Sequence, residues 1–216
     1  MHCPLCGSRR IPPFAVREGR RFLRCRRCDL IFLDPAQRLG PGEERARYET
    51  HRNDPADPDY RAFLDRLLGP LVERLTQGAR GLDYGSGPGP TLSRMLTEAG
   101  YPTVDYDPFF APREEVLDRR WDFVTCSETA EHFFDPGREF RRLDRMLAPG
   151  GWLGLMTGIV TDDVDFGTWW YVRDPTHVAF YSPETLSWIA ADRGWERVPV
   201  GDTVVLFRKP EGPVPG

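Results

Sequence analysis

The sequence predicts an α/β protein with a doubly wound sheet, preceded by a small ribbon pinned by cysteines. Three observations carry this. From residue 81 onward, short apolar stretches alternate with amphipathic helical ones. A glycine loop follows the first of those stretches, and two C-x2-C pairs stand within the first 28 residues. Alternating β and α elements of this length favour a mostly parallel sheet with helices on both faces.

Composition bounds the possibilities. The chain has 216 residues and 40% hydrophobic content, enough for one good core and a small appendage. A net charge of -4 argues against a whole-molecule electrostatic nucleic-acid binder. There is no run of eighteen apolar residues, so no membrane span is expected. The opening "MHCPLCGSRR" lacks the apolar stretch of a signal peptide, and a cytoplasmic protein is the expectation.

Cys3, Cys6, Cys25 and Cys28 form two C-x2-C knuckles. In a reducing compartment this spacing reads as a structural Zn²⁺ site, since four thiolates close a tetrahedral shell. Two disulfides or unligated thiols are the competing readings. "FAVREGRRFLRC" predicts a hairpin turning at Glu18-Gly19, and "LIFLDP" a strand that stops at Pro35. Apolar burial alone cannot hold so small a unit, so residues 1–35 are expected to be metal-dependent. Within residues 1–33 eight arginines stand against Glu18 and Asp29. They offset the charge of a four-thiolate centre and solvate the surface; contact with phosphate or RNA is the sharper alternative.

Residues 36–80 read as a linker with helices. "EERARYETH" predicts a short helix. From Asp59, Tyr60, Phe63, Leu64, Leu67, Leu68, Leu71 and Leu75 recur at helical spacing, with Gly78 as the stop.

Residues 81–210 carry the alternation. Gly81–Tyr84 predicts a strand, "PTLSRMLTEAG" a helix and "PTVDYD" a strand. "REEVLDRR" has room for an abbreviated third strand. "WDFVTCS" predicts a strand holding a structural Cys126, and "GREFRRLDRMLAPGG" a helix stopped by Pro-Gly-Gly. "WLGLMTG", "PETLSWIAADRG" and "TVVLFRK" continue as strand, helix and strand.

"LDYGSGPGP" places Gly85, Gly87 and Gly89 directly after a strand. The third glycine of a dinucleotide fingerprint is replaced by Pro90, and the loop has no P-loop lysine. Asp83 adds an anion that disfavours a pyrophosphate and suits a cationic ligand.

This segment resembles the first motif of class I S-adenosylmethionine-dependent methyltransferases. "VDYDP", "WDFVTCSETAEHF", "LDRMLAPGGWLGLMT" and "HVAFYSPETLSWIAADRGW" resemble, in order, later segments of the same class, in the group once described as ubiquinone-type methylases. Cysteine knuckles of this kind also resemble those on many bacterial methyltransferases. The resemblance implies a Rossmann-like, seven-stranded methyltransferase sheet with an N-terminal zinc ribbon. It implies S-adenosylmethionine as cofactor, a structural zinc, and a methyl acceptor that is most simply a small molecule. A non-catalytic scaffold and an RNA methyltransferase are the alternatives.

The resemblance also implies roles. Gly85, Gly87 and Gly89 would let the backbone approach the cofactor, and Asp83 would meet its α-ammonium. An acid some twenty residues on would accept both ribose hydroxyls; Asp107 is preferred to Asp105 because it ends the strand. Ser127 follows the fourth strand, near the cofactor methyl, with Glu131 and His132 just beyond. Tyr48 and His51 precede the first long helix, where this fold closes over its cofactor. His177 lies in the long aromatic insertion "WWYVRDPTHVAFYS", expected to wall the acceptor side. Glu131, His132 and His177 are the candidate catalytic residues. A purely structural reading, helix-start hydrogen bonding for Glu131 and His132 and loop pinning for His177, stands beside the catalytic one.

Overall fold

Strand β4 (Gly81–Tyr84) is buried along its whole length, as a central strand of a parallel sheet requires. It pairs in parallel with β5 (Thr103–Tyr106) and with β6 (Trp121–Ser127). Strand β7 (Leu147–Met156) adds in parallel to β6. Two antiparallel strands finish the sheet: β10 (Val204–Arg208) on β7, and β9 (Glu196–Pro199) at the edge. The computed structural model describes residues 1–50 and 53–212. No helix among them is long and apolar enough to cross a membrane.

Among the described residues the sheet has six strands in the order β5-β4-β6-β7-β10-β9, one fewer than the seven expected. The expected third strand is a short 3-10 turn over Glu114–Val116, where only Val116 is buried. Strand β9, which nothing in the sequence marked, is half-exposed at the opposite edge and carries little apolar signal.

Helices cover both faces. Helix α2 (Pro58–Val72) buries Leu64, Leu67, Leu68 and Leu71 beside α3 (Thr91–Glu98), against Phe123, Met156 and Leu206. On the other face α4 (Pro136–Met146) and α5 (Pro183–Arg193) bury Phe140, Leu143, Leu186 and Ile189 against Leu82, Val124 and Leu155. This is the double winding that the alternating pattern predicts. Helix α2 ends before Gly78, because the backbone tightens after Val72 into bonds from Arg74 to Leu71 and from Leu75 to Val72. "LAPGG" opens β7 instead of closing a helix, with Gly150 at φ 75° turning the chain.

The N-terminal hairpin pairs β1 (Pro13–Arg17) with β2 (Arg20–Arg24). Glu18 and Gly19 both have positive φ, 49° and 77°, the turn geometry that matches strand twist. Strand β3 (Ile31–Leu33) follows, and β8 (Ala179–Phe180) from the aromatic insertion completes a four-stranded sheet, β1-β2-β3-β8. The hairpin is therefore built into the insertion. Phe22, Ile31 and Leu33 share one core with Phe166, Tyr171, Val172 and Phe180. Arg20 donates from this sheet to the carbonyls of Val172, Asp174 and His177.

Candidate functional site

The topology opens a crevice where β5 and β6 diverge from the carboxyl end of β4, the place where ligands bind in open α/β sheets. A cavity of about 1050 Å³ fills it. Its lining includes Asp83, Gly85, Gly87, Gly89, Asp107, Ser127, Tyr48, Glu131, His132 and His177. His51 lies outside the described residues.

Gly85 and Gly87 sit at φ 84° and 65°, left-handed backbone that favours glycine. A Cβ on Gly89 would stand 2.2 Å from the Asn53 carbonyl oxygen, so the segment before α2 closes directly on the loop. Thr91 donates to the same carbonyl. Asn53 carries no sequence signal for this role.

Asp107 lines the cavity and accepts the Gly87 amide at 3.0 Å; its other oxygen accepts the amides of Phe109 and Phe110. These bonds lock the glycine loop to the end of β5. Asp105 is not among the lining residues, and its Oδ1 is buried without a hydrogen-bond partner among the described residues. Asp83 is buried and accepts the Thr125 hydroxyl at 2.7 Å. Burial pushes its carboxyl up to about 7, and the acids Asp105 and Asp107 add to the shift. A cation would reverse that penalty. The Ser86 and Ser127 hydroxyls are also buried without a partner among the described residues, which suits a polar ligand.

The far end of the cavity is built from the turn after β6 and from the insertion. Glu128 adopts φ 45°, uncommon for a residue other than glycine. Burial, with Glu131 beside it, pushes its carboxyl up to about 8. Glu131 and His132 lie in a 3-10 turn, Ala130–His132, which the insertion clasps: Val178 donates to the Glu131 carbonyl and Tyr181 to that of Ala130. The His132 and His177 rings meet edge to face, with centroids 4.8 Å apart. Tyr48, at the end of α1 (Pro41–Tyr48), packs against both His132 and Phe109. Burial pushes the His177 imidazole below its ordinary value.

Asp174 accepts the Thr176 amide at 2.9 Å and the Arg47 guanidinium at 2.7 Å, fastening the insertion to α1. Most aromatics of the insertion are core: Tyr171, Phe180 and Tyr181 are buried, and Trp170 alone is exposed, at the cavity mouth. Arg20, the half-buried anchor of the loop that holds His177, had no sequence signal because its partners are backbone carbonyls.

The four knuckle cysteines converge. Their Sγ atoms lie within 4.8 Å of one another, with Cys3–Cys28 and Cys6–Cys25 each at 3.5 Å. A disulfide needs about 2.05 Å. Tetrahedral zinc at about 2.3 Å from each sulfur puts neighbouring sulfurs about 3.8 Å apart. The cluster fits the ion, and the Arg27 amide points at the Cys25 sulfur.

Comparison with known proteins agrees with this architecture. The methyltransferase domain family matches residues 49–200, more than half of the chain, and the chain belongs to that family. No curated protein sequence matches it significantly. Among solved structures it is similar to the 1,6-didemethyltoxoflavin-N1-methyltransferase of Burkholderia thailandensis, which holds 1,6-didemethyltoxoflavin and S-adenosylhomocysteine. That likeness has a TM-score of 0.57 at 17% identity and covers 92% of this chain and 99% of the other. An O-methyltransferase family protein from the same species gives 0.51 at 15%, covering 78% and 63%.

Proposed function

We propose that the protein transfers a methyl group from S-adenosylmethionine to a small-molecule acceptor. One observation carries this reading: a single cavity runs from the glycine loop to the His132–His177 pair. Its volume of about 1050 Å³ has room for a cofactor and a compact acceptor together. The cofactor supplies the electrophilic methyl when bound; this chain's residues supply position and charge. Asp83, ionised, faces the α-ammonium. Asp107 accepts the ribose hydroxyls while it holds the Gly87 amide. Tyr48 and the Asn53 segment close over the loop and exclude water. The acceptor stands against His132 and His177, with Trp170 at the entrance. The Burkholderia thailandensis enzyme, with a flat heterocycle and S-adenosylhomocysteine, supports a small acceptor.

Residues 1–35 are, on this reading, a zinc ribbon that braces the acceptor wall, residues 36–80 a linker with helices, and residues 81–210 the cofactor-binding domain. The ribbon's arginines support a structural role: Arg17 and Arg20 cap insertion carbonyls, while Arg21 and Arg24 pair with Asp34 and Asp29. Calorimetry with S-adenosylmethionine tests the core of the reading. Binding by the native chain, weakened by Asp107→Ala, is expected; a chain that binds neither S-adenosylmethionine nor S-adenosylhomocysteine would overturn it.

A further inference from the structure

We infer that Glu131, His132 and His177 form a second metal centre, one for a divalent first-row transition ion, at the acceptor end of the cavity. One ligand atom from each of the three lies within 4.8 Å of the other two. Metal bonds of about 2.1 Å place ligand atoms up to about 4.2 Å apart, so shifts of a few tenths of an ångström complete the site.

The tautomers suit this use. The Nδ1 of His132 faces the Thr176 carbonyl at 3.0 Å, and that of His177 faces the Tyr171 carbonyl at 2.8 Å. A carbonyl only accepts, so each Nδ1 carries a proton, which leaves Nε2 as the nitrogen whose lone pair a metal ion can take. Backbone carbonyls orient metal-ligating imidazoles in this way. The carboxylate is held similarly: Thr157 donates to Glu131 Oε2 at 2.9 Å. The other oxygen, Oε1, is the independent pointer to a ligand. Glu131 is fully buried, yet Oε1 has no hydrogen-bond partner among the described residues. A buried carboxylate oxygen without a partner is costly, and a bound cation removes that cost.

Two imidazoles and one carboxylate match the donor preference of zinc and its neighbours, in contrast to the all-oxygen shells of calcium or magnesium. Three protein ligands leave coordination positions open, and all three residues line the cavity, so those positions face it. The ion site itself stands on geometry alone. Its use rests on the methyl-transfer reading: an acceptor hydroxyl binds the ion and releases its proton to solvent through the cavity mouth. The oxygen lone pair then forms the C–O bond as the C–S bond breaks. The C–S pair stays on sulfur, giving a neutral ether and a neutral thioether.

The test is a Co²⁺ titration of the full-length chain carrying one zinc, in the cysteine site only, without S-adenosylmethionine, followed by visible absorption. One equivalent is expected, with a d–d band and no thiolate-to-cobalt charge transfer, since the donors are N, N and O. His177→Ala and His132→Ala should each abolish saturable binding. His132 is only half-buried, so its removal endangers folding least; unchanged ribbon zinc and thermal unfolding identify a folded variant. Thr157→Val, which loosens Glu131 without removing a ligand, should weaken binding about tenfold. Three outcomes overturn the inference: no saturable cobalt, cobalt seen only through thiolate charge transfer, or binding unchanged in a folded His132→Ala. Failure of S-adenosylmethionine binding would sink the methyl-transfer reading and leave the cobalt result standing.

Discussion

The Arg20 guanidinium, on the second strand of the cysteine hairpin, donates at 2.9 Å to the backbone carbonyl of His177. The same side chain reaches Val172 and Asp174, so one arginine fixes the loop that carries a cavity residue.

Arg20→Ala should therefore act on the far side of the cavity. Three carbonyls lose a charged donor, and stability should fall by about 2 kcal/mol in urea unfolding. Hydrogen exchange should quicken over residues 170–178. Arg20→Lys, with a compact ammonium in place of a fork, should recover only part of the loss.

Removing the ribbon metal should loosen two places at once. Cys25→Ser is expected to abolish the one zinc ion held by the four ribbon cysteines. Because β3 pairs with β8, amide protection should fall at Ile31–Leu33 and at Ala179–Phe180 together. Full protection at both in a metal-free chain would show that packing alone holds the unit.

Cofactor binding should depend on pH through Asp83. Its carboxyl is pushed up to about 7 by burial and by Asp105 and Asp107, above its unfolded value. The protonated form is thus favoured in the folded, empty protein. Its contribution to stability is full below the unfolded value and is lost as pH rises through about 7. A cationic ligand needs the ionised form, so binding at pH 6 should release a proton. Affinity should climb with pH and level off above about 7. Calorimetry in buffers of different ionisation enthalpy measures the release, and Asp83→Asn should abolish it.

The glycines of the loop should differ in cost. Gly89→Ala puts a Cβ 2.2 Å from the Asn53 carbonyl and must displace the segment before α2, so cofactor affinity should fall sharply. At Gly87 the nearest atom is the side-chain Nδ2 of Asn53 at 3.4 Å, and Ala there meets mainly the left-handed backbone, about 1–2 kcal/mol. Equal losses in the two variants would refute the closure by Asn53.

What could be read from sequence divides along physical lines. Buried strands such as β4 and β6 announce themselves as apolar runs because both faces are covered. The edge strand β9 did not, being half solvated. The place of Asp107 beside the glycine loop was legible because it ends β5, the strand paired with β4. His177 was legible as part of a long aromatic insertion, but its pairing with Glu131 and His132 was not, since that contact depends on how the insertion folds back. Asn53 and Arg20 work through backbone carbonyls, and no residue pattern marks a carbonyl's partner.

Strand β8 also sets an order of events for the growing chain. Arg17 and its acceptor Trp169 are 152 residues apart, and the edge of β3 finds its partner only when Ala179–Phe180 has been made. During synthesis the hairpin emerges first but keeps an open, apolar edge until most of the chain has followed. Closing so large a loop is entropically slow, so docking of the hairpin is expected as a late folding phase, after the central sheet has formed. Metal bound early would hold the hairpin together through that wait.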